Sequence, residues 1–361
     1  MKEQSKTYID ELATENSKFC IVALTGKVRA GTSDVCKLLT SSEFPDSATR
    51  PADTCGHDMR EIRENIIVYR YLHHNWKPFI HLSITDIIVS FILESELELL
   101  KTSYIDKSDI NKSESSNQTL YDALSNAIQE ASGSMDEVIK KASKISTTLL
   151  NSHHPDDIKE VDKTIKNYCQ SNFINFTVES LLEYWEETRI RVYNKNPSTE
   201  DLFFCFGYLS VLRIKLRGIL GKSNYTIAFQ KYGNNIRAYG KALVANDQEP
   251  DVNSVFSIPE RANKFIKLLR FYNPDIPPRT SSNIKSDDKT HKNPVFIVIN
   301  NFKNIFEAYY FKKRYSAFYL IAVSCDENMR KMQFEDLNKF RLAELRENLT
   351  SGKRIYTRTK D

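Results

Sequence analysis

FCIVALTGKVRAGTS, residues Phe19 to Ser33, joins an apolar run to a glycine-bounded segment and the start of a second patterned run. Phe19 to Thr25 is a short apolar run with Ile and Val, the pattern of a buried strand. Gly26 to Gly31 breaks that run. Thr32 to Thr40 (TSDVCKLLT) then has helical spacing, with Val35, Leu38 and Leu39 on one face. The order is strand, glycine loop, helix.

Working outward, Ser41 to Gly56 is a loop rich in Ser, Pro and Thr, and Glu61 to His74 reads as a helix. Pro78 to Ser83 (PFIHLS) predicts a second strand, and Ile84 to Leu100 a second, buried helix. Leu100 to Thr119 is polar and reads as a loop. From Leu120 to Leu220 the pattern is helical throughout; Leu120, Leu124 and Ile128 recur at i, i+4 and i+8, and Val178, Leu181, Leu182 and Trp185 follow the same logic. Tyr225 to Leu243 and Glu260 to Phe271 continue as helices. Asn273 to Asn293 is a Pro-rich polar connection. Val295 to Asn300 (VFIVIN) is a strand, Phe306 to Tyr315 a helix, and Ala317 to Val323 (AFYLIAV) another strand. Met329 to Leu349 predicts a charged closing helix.

Strands near both ends therefore flank an all-helical middle. The expected fold is α/β: a parallel sheet built from residues 1–100 and 221–349, a large helical insertion at 101–220, and a polar tail at 350–361. The four strands are expected to share one sheet. The insertion, with alternating apolar and charged faces, is expected to pack as a cap or to make the contacts of a homo-oligomer.

Composition narrows the function classes. Lys+Arg total 51 and Asp+Glu 47, a formal charge of +4 that is too small and too evenly mixed for a protein that coats nucleic acid. The longest apolar stretch, Ile84 to Leu93, is interrupted by Thr85, Asp86 and Ser90, short of the ~20 residues of a membrane helix. No apolar signal core opens the chain, so a cytoplasmic protein without a membrane partner is expected. The six cysteines contain no C-x-x-C, and the seven histidines no H-x-E or H-E-x-x-H, which argues against thiolate zinc and metallohydrolase sites. His73-His74 and His153-His154 are adjacent pairs, and adjacent side chains on a helix diverge too far to share an ion readily.

Gly26-Lys27-Val28-Arg29-Ala30-Gly31-Thr32-Ser33 has the spacing G-x-x-x-x-G-x-S. Such a loop curls so that successive N–H groups face phosphate oxygens, and the helix behind it adds its positive end. Ser33 stands where the Mg²⁺-holding hydroxyl belongs. Thr32 stands where these loops carry a lysine that reaches the β/γ-phosphates. Lys27 or Arg29 offers substitute charge. The plainer alternative is an ordinary strand-to-helix turn. A phosphate loop usually pairs with an acidic residue at the end of a neighbouring strand, but VFIVIN ends in Asn300 and Asn301. With both the lysine and the acid replaced by neutral residues, the expectation is a protein that binds a nucleotide and turns it over poorly or not at all, with at most a weak Mg site at Ser33 and Asn300.

Residues 300–323, NNFKNIFEAYYFKKRYSAFYLIAV, resemble the segment D-x-I-R-N-P-x-E-x-x-Y-F-R-x-R-Y-S-A-F-Y-L of the kinase-like, P-loop N-terminal domain in two-domain bacterial deoxycytidylate deaminases, which include antiphage dCTP deaminases. By position Asn300 matches the family's Asp, Lys303 its Arg, Ile305 its Pro and Glu307 its Glu, and the match runs on through Arg314, Tyr315, Ser316 and Phe318. Residues 225–240, YTIAFQKYGNNIRAYG, resemble Q-x-x-G-(D/N)-N-I-R-x-x-G through Gln230, Gly233, Asn235, Arg237 and Gly240. Phe19 to Ser33 and Tyr69 to Leu93 are similar to the same domain. The resemblance implies a P-loop NTPase fold of the nucleoside monophosphate kinase type. The family's deaminase module carries H-A-E and P-C-x-x-C, where zinc activates water. Neither motif occurs here, and the chain ends near where that module begins, so deaminase activity is not carried over.

The expected ligand is a nucleoside triphosphate or a deoxynucleotide. The expected binding residues are Gly26, Lys27, Arg29, Ala30, Gly31, Thr32, Ser33, Arg237 and Lys303, with no catalytic residue assigned. Arg237 reads either as a phosphate or base contact or as a salt bridge. Lys303, Arg314 and Arg330 follow the sheet strands, where α/β folds place their ligand crevice. The functional expectation is a sensor or regulatory subunit in antiphage defence or nucleotide metabolism, acting on a separately encoded effector. The alternatives are an active deoxynucleoside monophosphate kinase, the front module of a dCTP/dCMP deaminase, or a scaffold that binds nothing.

Overall fold

The computed structural model describes residues 19–27, 30–44, 59–105, 118–150, 155–245, 248–271 and 295–326. The expected loop from residue 45 to 56, the connection at 273–293, the closing helix at 329–349 and the tail at 350–361 lie outside them.

The four apolar runs form one parallel sheet in the order β2-β5-β1-β6. Here β1 is Phe19–Gly26, β2 is Ile80–Ser83, β5 is Val295–Asn300 and β6 is Phe318–Val323. Central β1 pairs with β5 from Phe19↔Val295 to Ala23↔Ile299, and with β6 from Ile21↔Phe318 to Gly26↔Val323. Outer β2 pairs with β5 from Ile80↔Ile297 to Ser83↔Asn300. Parallel strands covered on both faces read as unbroken apolar runs rather than alternating ones, which is why β1, β2 and β5 stand out in the sequence; in β6, Tyr319, Leu320 and Ile321 are exposed among the described residues.

Alternation along the strands sorts the two faces. Ile21, Ala23, Ile80, Leu82, Ile297 and Ile299 join the main core. Val22, Leu24 and Val298 face the other way and meet Cys36 of α1, Thr32–Leu39. Gly26 has a packing reason of its own. A Cβ there would stand 2.5 Å from the Val323 carbonyl oxygen, so only glycine lets β6 close onto the end of β1.

Helix α2, Met59–Asn75, precedes β2. The long helix expected from Ile84 to Leu100 is two helices, α3 at Ile84–Ile92 and α4 at Leu97–Thr102. The break at residues 93–96 has a tertiary cause. It places Glu94 against the buried Arg261 guanidinium, with oxygen–nitrogen distances of 2.8 and 2.9 Å. Arg261 also lies 3.4 Å over the Phe91 ring and donates to Ser90 Oγ. The loop expected from Leu100 to Thr119 contains the end of α4 and a two-residue antiparallel ladder, β3 (Tyr104–Ile105) with β4 (Gln118–Thr119).

The middle of the chain is helical as expected. It comprises α5 (Leu120–Ser132), α6 (Met135–Leu150), α7 (Pro155–Asn172), α8 (Val178–Tyr193), α9 (Thr199–Leu202) and α10 (Leu209–Leu220). A π-helical turn, Phe203–Tyr208, joins α9 to α10, and all six of its residues are buried. Its Gly207 lies so close to α6 that a Cβ would stand 3.3 Å from the Val138 carbonyl oxygen. Trp185, Phe204 and Tyr208 are fully buried here, in the same continuous core cluster as Ile21 and Ile299 of the sheet. The chain then forms α11 (Lys222–Tyr239), a 3₁₀ turn (Val252–Phe256), α12 (Ser257–Phe271) and α13 (Ile305–Arg314).

Candidate functional site at the ends of β1 and β5

Two neighbouring strands part company at the C-terminal edge of the sheet. From β1 the chain passes into α1 on one face. From β5 it passes into α13, whose Phe311 is buried in the core on the other face. Such a divergence leaves a crevice beyond the strand ends, the usual place for a ligand in an open α/β sheet.

One wall of the crevice is the glycine loop. Ala30 N–H donates to Lys27 O at 3.0 Å, closing a turn. Gly31 then adopts φ +94°, in the left-handed region, and caps α1 without any side-chain hydrogen bond. Asp34 and Val35 N–H groups bond back to Gly31 O at 3.0 and 3.1 Å. The N–H groups of Thr32 and Ser33 are thus the first of the helix, with no partner inside it. A Cβ on Gly31 would meet no described atom within 4 Å. Ala30 is buried, while Lys27 and Ser33 are exposed. Arg29, with Val28, lies outside the described residues, as does Arg330.

The other wall is the segment after β5. Asn300 is 8% exposed, and its Oδ1 has no hydrogen-bond partner. By strand parity with Val298 its side chain lies on the α1 face of the sheet, and across on β2 the His81 ring faces it. The His81–Asn300 approach is not a well-formed hydrogen bond, since His81 Nε2 is also buried without a partner. Asn301 takes φ +60°, a conformation that Asn tolerates better than most residues. Phe302 N–H donates to Leu24 O at 3.1 Å, tying this segment to the end of β1 and holding Lys303 beside the crevice.

Lys303 keeps solvent access while protein surrounds most of it. Desolvation lowers the pKa of its ammonium, and the neighbouring Arg237 adds to that. Arg237 comes from α11 and is locked by a buried carboxylate. Its Nε and Nη2 donate to Glu307 Oε1 at 3.0 and 2.7 Å. Glu307 is fully buried and its Oε2 has no partner. Of the two readings open for Arg237 in the sequence, the ion pair is present.

Helix α11 packs against α3, α10 and α12. At its start Tyr225 lies beside Thr85 and Arg213, and burial raises its phenol to about 12. Midway, Gly233 packs against Ile88, and near the end Arg237 meets Glu307. Below Tyr225, Asp86 in the first turn of α3 pairs with Arg213, both nearly buried. Lys141 donates to Ser210 Oγ at 2.9 Å nearby.

The structure thus brings Gly26, Lys27, Ala30, Gly31, Thr32, Ser33 and Asn300 to the ends of adjacent strands, with Lys303 just beyond β5; Arg237 instead pairs with Glu307 of α13. Arg314 stands apart, over the Tyr310 ring at 5.3 Å. His73 lies against Phe44 and Tyr69, and His74 Nδ1 is 2.7 Å from Arg70 O. Among the described residues no group of three His, Cys, Asp or Glu side chains could hold a metal ion. Ser33 and Asn300 offer only neutral oxygens, a weak set for a hard cation unless phosphate oxygens complete it. The sequence reading did not assign roles to His81, Glu307 or Gln230. Glu307 and Gln230 had appeared only as positions of resemblance, and Asp86 as a charge inside an apolar run.

No family model, curated protein or solved structure matches this chain.

Proposed function

We propose that this protein binds a nucleoside triphosphate or deoxynucleotide at the Gly26–Ser33 loop and turns it over poorly or not at all. The observation that carries this reading is the left-handed Gly31. It starts α1 at the C-terminal end of the central strand β1, where the first N–H groups of the helix have no side-chain cap. The strand order, with the loop strand flanked by β5 and β6, agrees with a P-loop NTPase of the nucleoside monophosphate kinase type, as does the resemblance to the kinase-like deaminase domain.

The chemistry is that of a holder more than a catalyst. Backbone N–H groups at Thr32 and Ser33 bind phosphate oxygens, and Ser33 Oγ with Asn300 Oδ1 ligates at most a weakly held Mg²⁺. Thr32 provides no charge to draw out a γ-phosphoryl group. Such a protein serves as a cytoplasmic sensor or regulatory subunit, in bacterial antiphage defence or nucleotide metabolism, passing its ligand state to an effector. The region at 101–220 is its surface for self-association. A second reading, an active deoxynucleoside monophosphate kinase, is favoured by Lys303, whose place just beyond β5 puts positive charge beside the crevice.

A thermal-shift series with ATP and the four deoxynucleoside triphosphates tests the first reading. A ligand confined to the folded state at 100 times its Kd stabilises by about 2.7 kcal/mol. Product formation from ATP and a deoxynucleoside monophosphate would favour the second.

A further inference from the structure

Helix α2, Met59–Asn75, carries apolar side chains on two opposite faces. Ile62, Ile66 and Tyr69 are half-buried and form the inward face, where the Phe44 ring lies 5.4 Å from that of Tyr69. Just past the helix, Trp76 Nε1 donates to Ser41 O and Phe79 N–H to Leu39 O, each at 2.9 Å, which anchors its C-terminal end to that of α1. Ile67, Val68, Tyr71 and Leu72 point the other way and are 68, 55, 66 and 40% exposed. Large apolar side chains gathered on one exposed face mark an interaction surface. The line through that face runs Glu61, Glu64, Val68, Tyr71, Asn75, with alternating steps of three and four residues, the spacing with which one helix meets another. Ile67 and Leu72 widen it on either side. Its two ends differ in charge. Glu61 and Glu64 stand at the N-terminal end, and Arg60 Nε donates to Glu64 Oε1 at 3.0 Å. His74, Asn75 and Lys77 stand at the other, and no carboxylate occurs between Glu64 and Asp86 in the sequence.

We propose that this face of α2 binds the same face of a second copy of the chain, the two helices running antiparallel about a two-fold axis between Val68 and Tyr71. Val68 then meets Tyr71 of the second copy and Tyr71 its Val68, while Ile67 and Leu72 close the flanks. Glu64 faces His74 and Asn75 of the second copy, and Glu61 approaches its Lys77. Antiparallel alignment also sets opposite helix-dipole ends side by side. A parallel pair would instead stack Glu61 on Glu61 and Glu64 on Glu64, like charge on like. The face therefore complements itself in the antiparallel sense, the requirement of a two-fold contact in which one patch serves both subunits. This interface is separate from the self-association proposed for residues 101–220 and does not rest on the nucleotide reading.

Sedimentation velocity on the full chain over a concentration series tests the association, and cysteine crosslinking tests its geometry. The wild type should show a concentration-dependent dimer. Val68→Glu and Tyr71→Glu should each raise its dissociation constant tenfold or more with the far-UV circular dichroism unchanged, since both side chains are exposed in the single chain. Chains carrying Glu64→Cys and Asn75→Cys, mixed and oxidised with copper phenanthroline, should crosslink to each other. Glu64→Cys alone should not exceed the wild-type background set by the native cysteines. A wild type that stays monomeric at the highest soluble concentration refutes the proposal. A dimer that survives Tyr71→Glu unchanged belongs to another surface, such as residues 101–220, and refutes it equally. Glu64→Cys crosslinking to itself as readily as to Asn75→Cys would make the helices parallel and overturn the arrangement.

Discussion

Arg237 and Glu307 are joined across 70 residues of sequence by two hydrogen bonds to a single carboxylate oxygen, Oε1. The carboxylate is fully buried and the guanidinium side chain only 16% exposed. The pair fixes α11 to the start of α13 and so fixes the shape of the crevice.

Removing one partner of such a pair strands the other charge. Glu307→Ala is therefore expected to destabilise the protein by about 3 kcal/mol or more, the range for breaking a buried pair. The double variant Arg237→Met with Glu307→Leu should recover much of that loss, because the desolvation cost disappears with the charges. Urea unfolding of both variants checks this. A loss below about 1 kcal/mol for Glu307→Ala would place the carboxylate in water.

The two glycines of the loop are expected to fail for different reasons. Gly26→Ala drives a Cβ into the Val323 carbonyl oxygen, a backbone atom that cannot swing aside. The expected cost is about 1–3 kcal/mol, with loosening of β6. Gly31→Ala meets no atom but must hold a left-handed φ, costing about 1 kcal/mol. Thermal melts together with amide exchange along Phe318–Val323 separate them. Faster exchange in β6 for Gly31→Ala but not for Gly26→Ala would reverse the assignment.

His81 makes stability depend on pH. Burial lowers its pKa; Asp86 and the Asn300 side chain oppose this, while Arg213 and Lys141 reinforce it. In the unfolded chain the imidazole takes up a proton near its ordinary value of about 6.5. The folded chain resists until lower pH, so the unfolded state binds more protons in that window. Stability is then full above about 6.5 and is lost as pH falls toward the lowered folded value. Tm measured from pH 7.5 to 5 should decline, and His81→Gln should flatten the decline. An unchanged slope in His81→Gln would assign it to other groups.

Much of the fold was legible because β1 and β5 are covered on both faces, which turns each into a short unbroken apolar run. Residues 19–25 and 295–300 could be read directly on that ground. The run from Ile84 to Leu100 misled for the opposite reason. Its local pattern favours one helix, while the turn at residues 93–96 exists to bring Glu94 to Arg261, 167 residues away. Asp86 and Ser90 looked like interruptions of an apolar stretch. They are buried anchors for Arg213 and Arg261. The glycine loop was visible because glycine spacing is a local signal. The partnership of Arg237 with Glu307 and the burial of Asn300 arise only when distant segments meet.

The central claim is that the Gly26–Ser33 loop holds a nucleotide, and calorimetric titration of wild type, Gly31→Arg and Thr32→Lys with ATP and deoxynucleoside triphosphates tests it most directly. Measurable binding is expected for the wild type, none for Gly31→Arg in a chain that still folds, and binding tightened by about 1–3 kcal/mol for Thr32→Lys, the range for a charge-assisted hydrogen bond. No binding by the wild type at millimolar concentration, with no change on introducing lysine at position 32, would contradict it and reduce the loop to a turn.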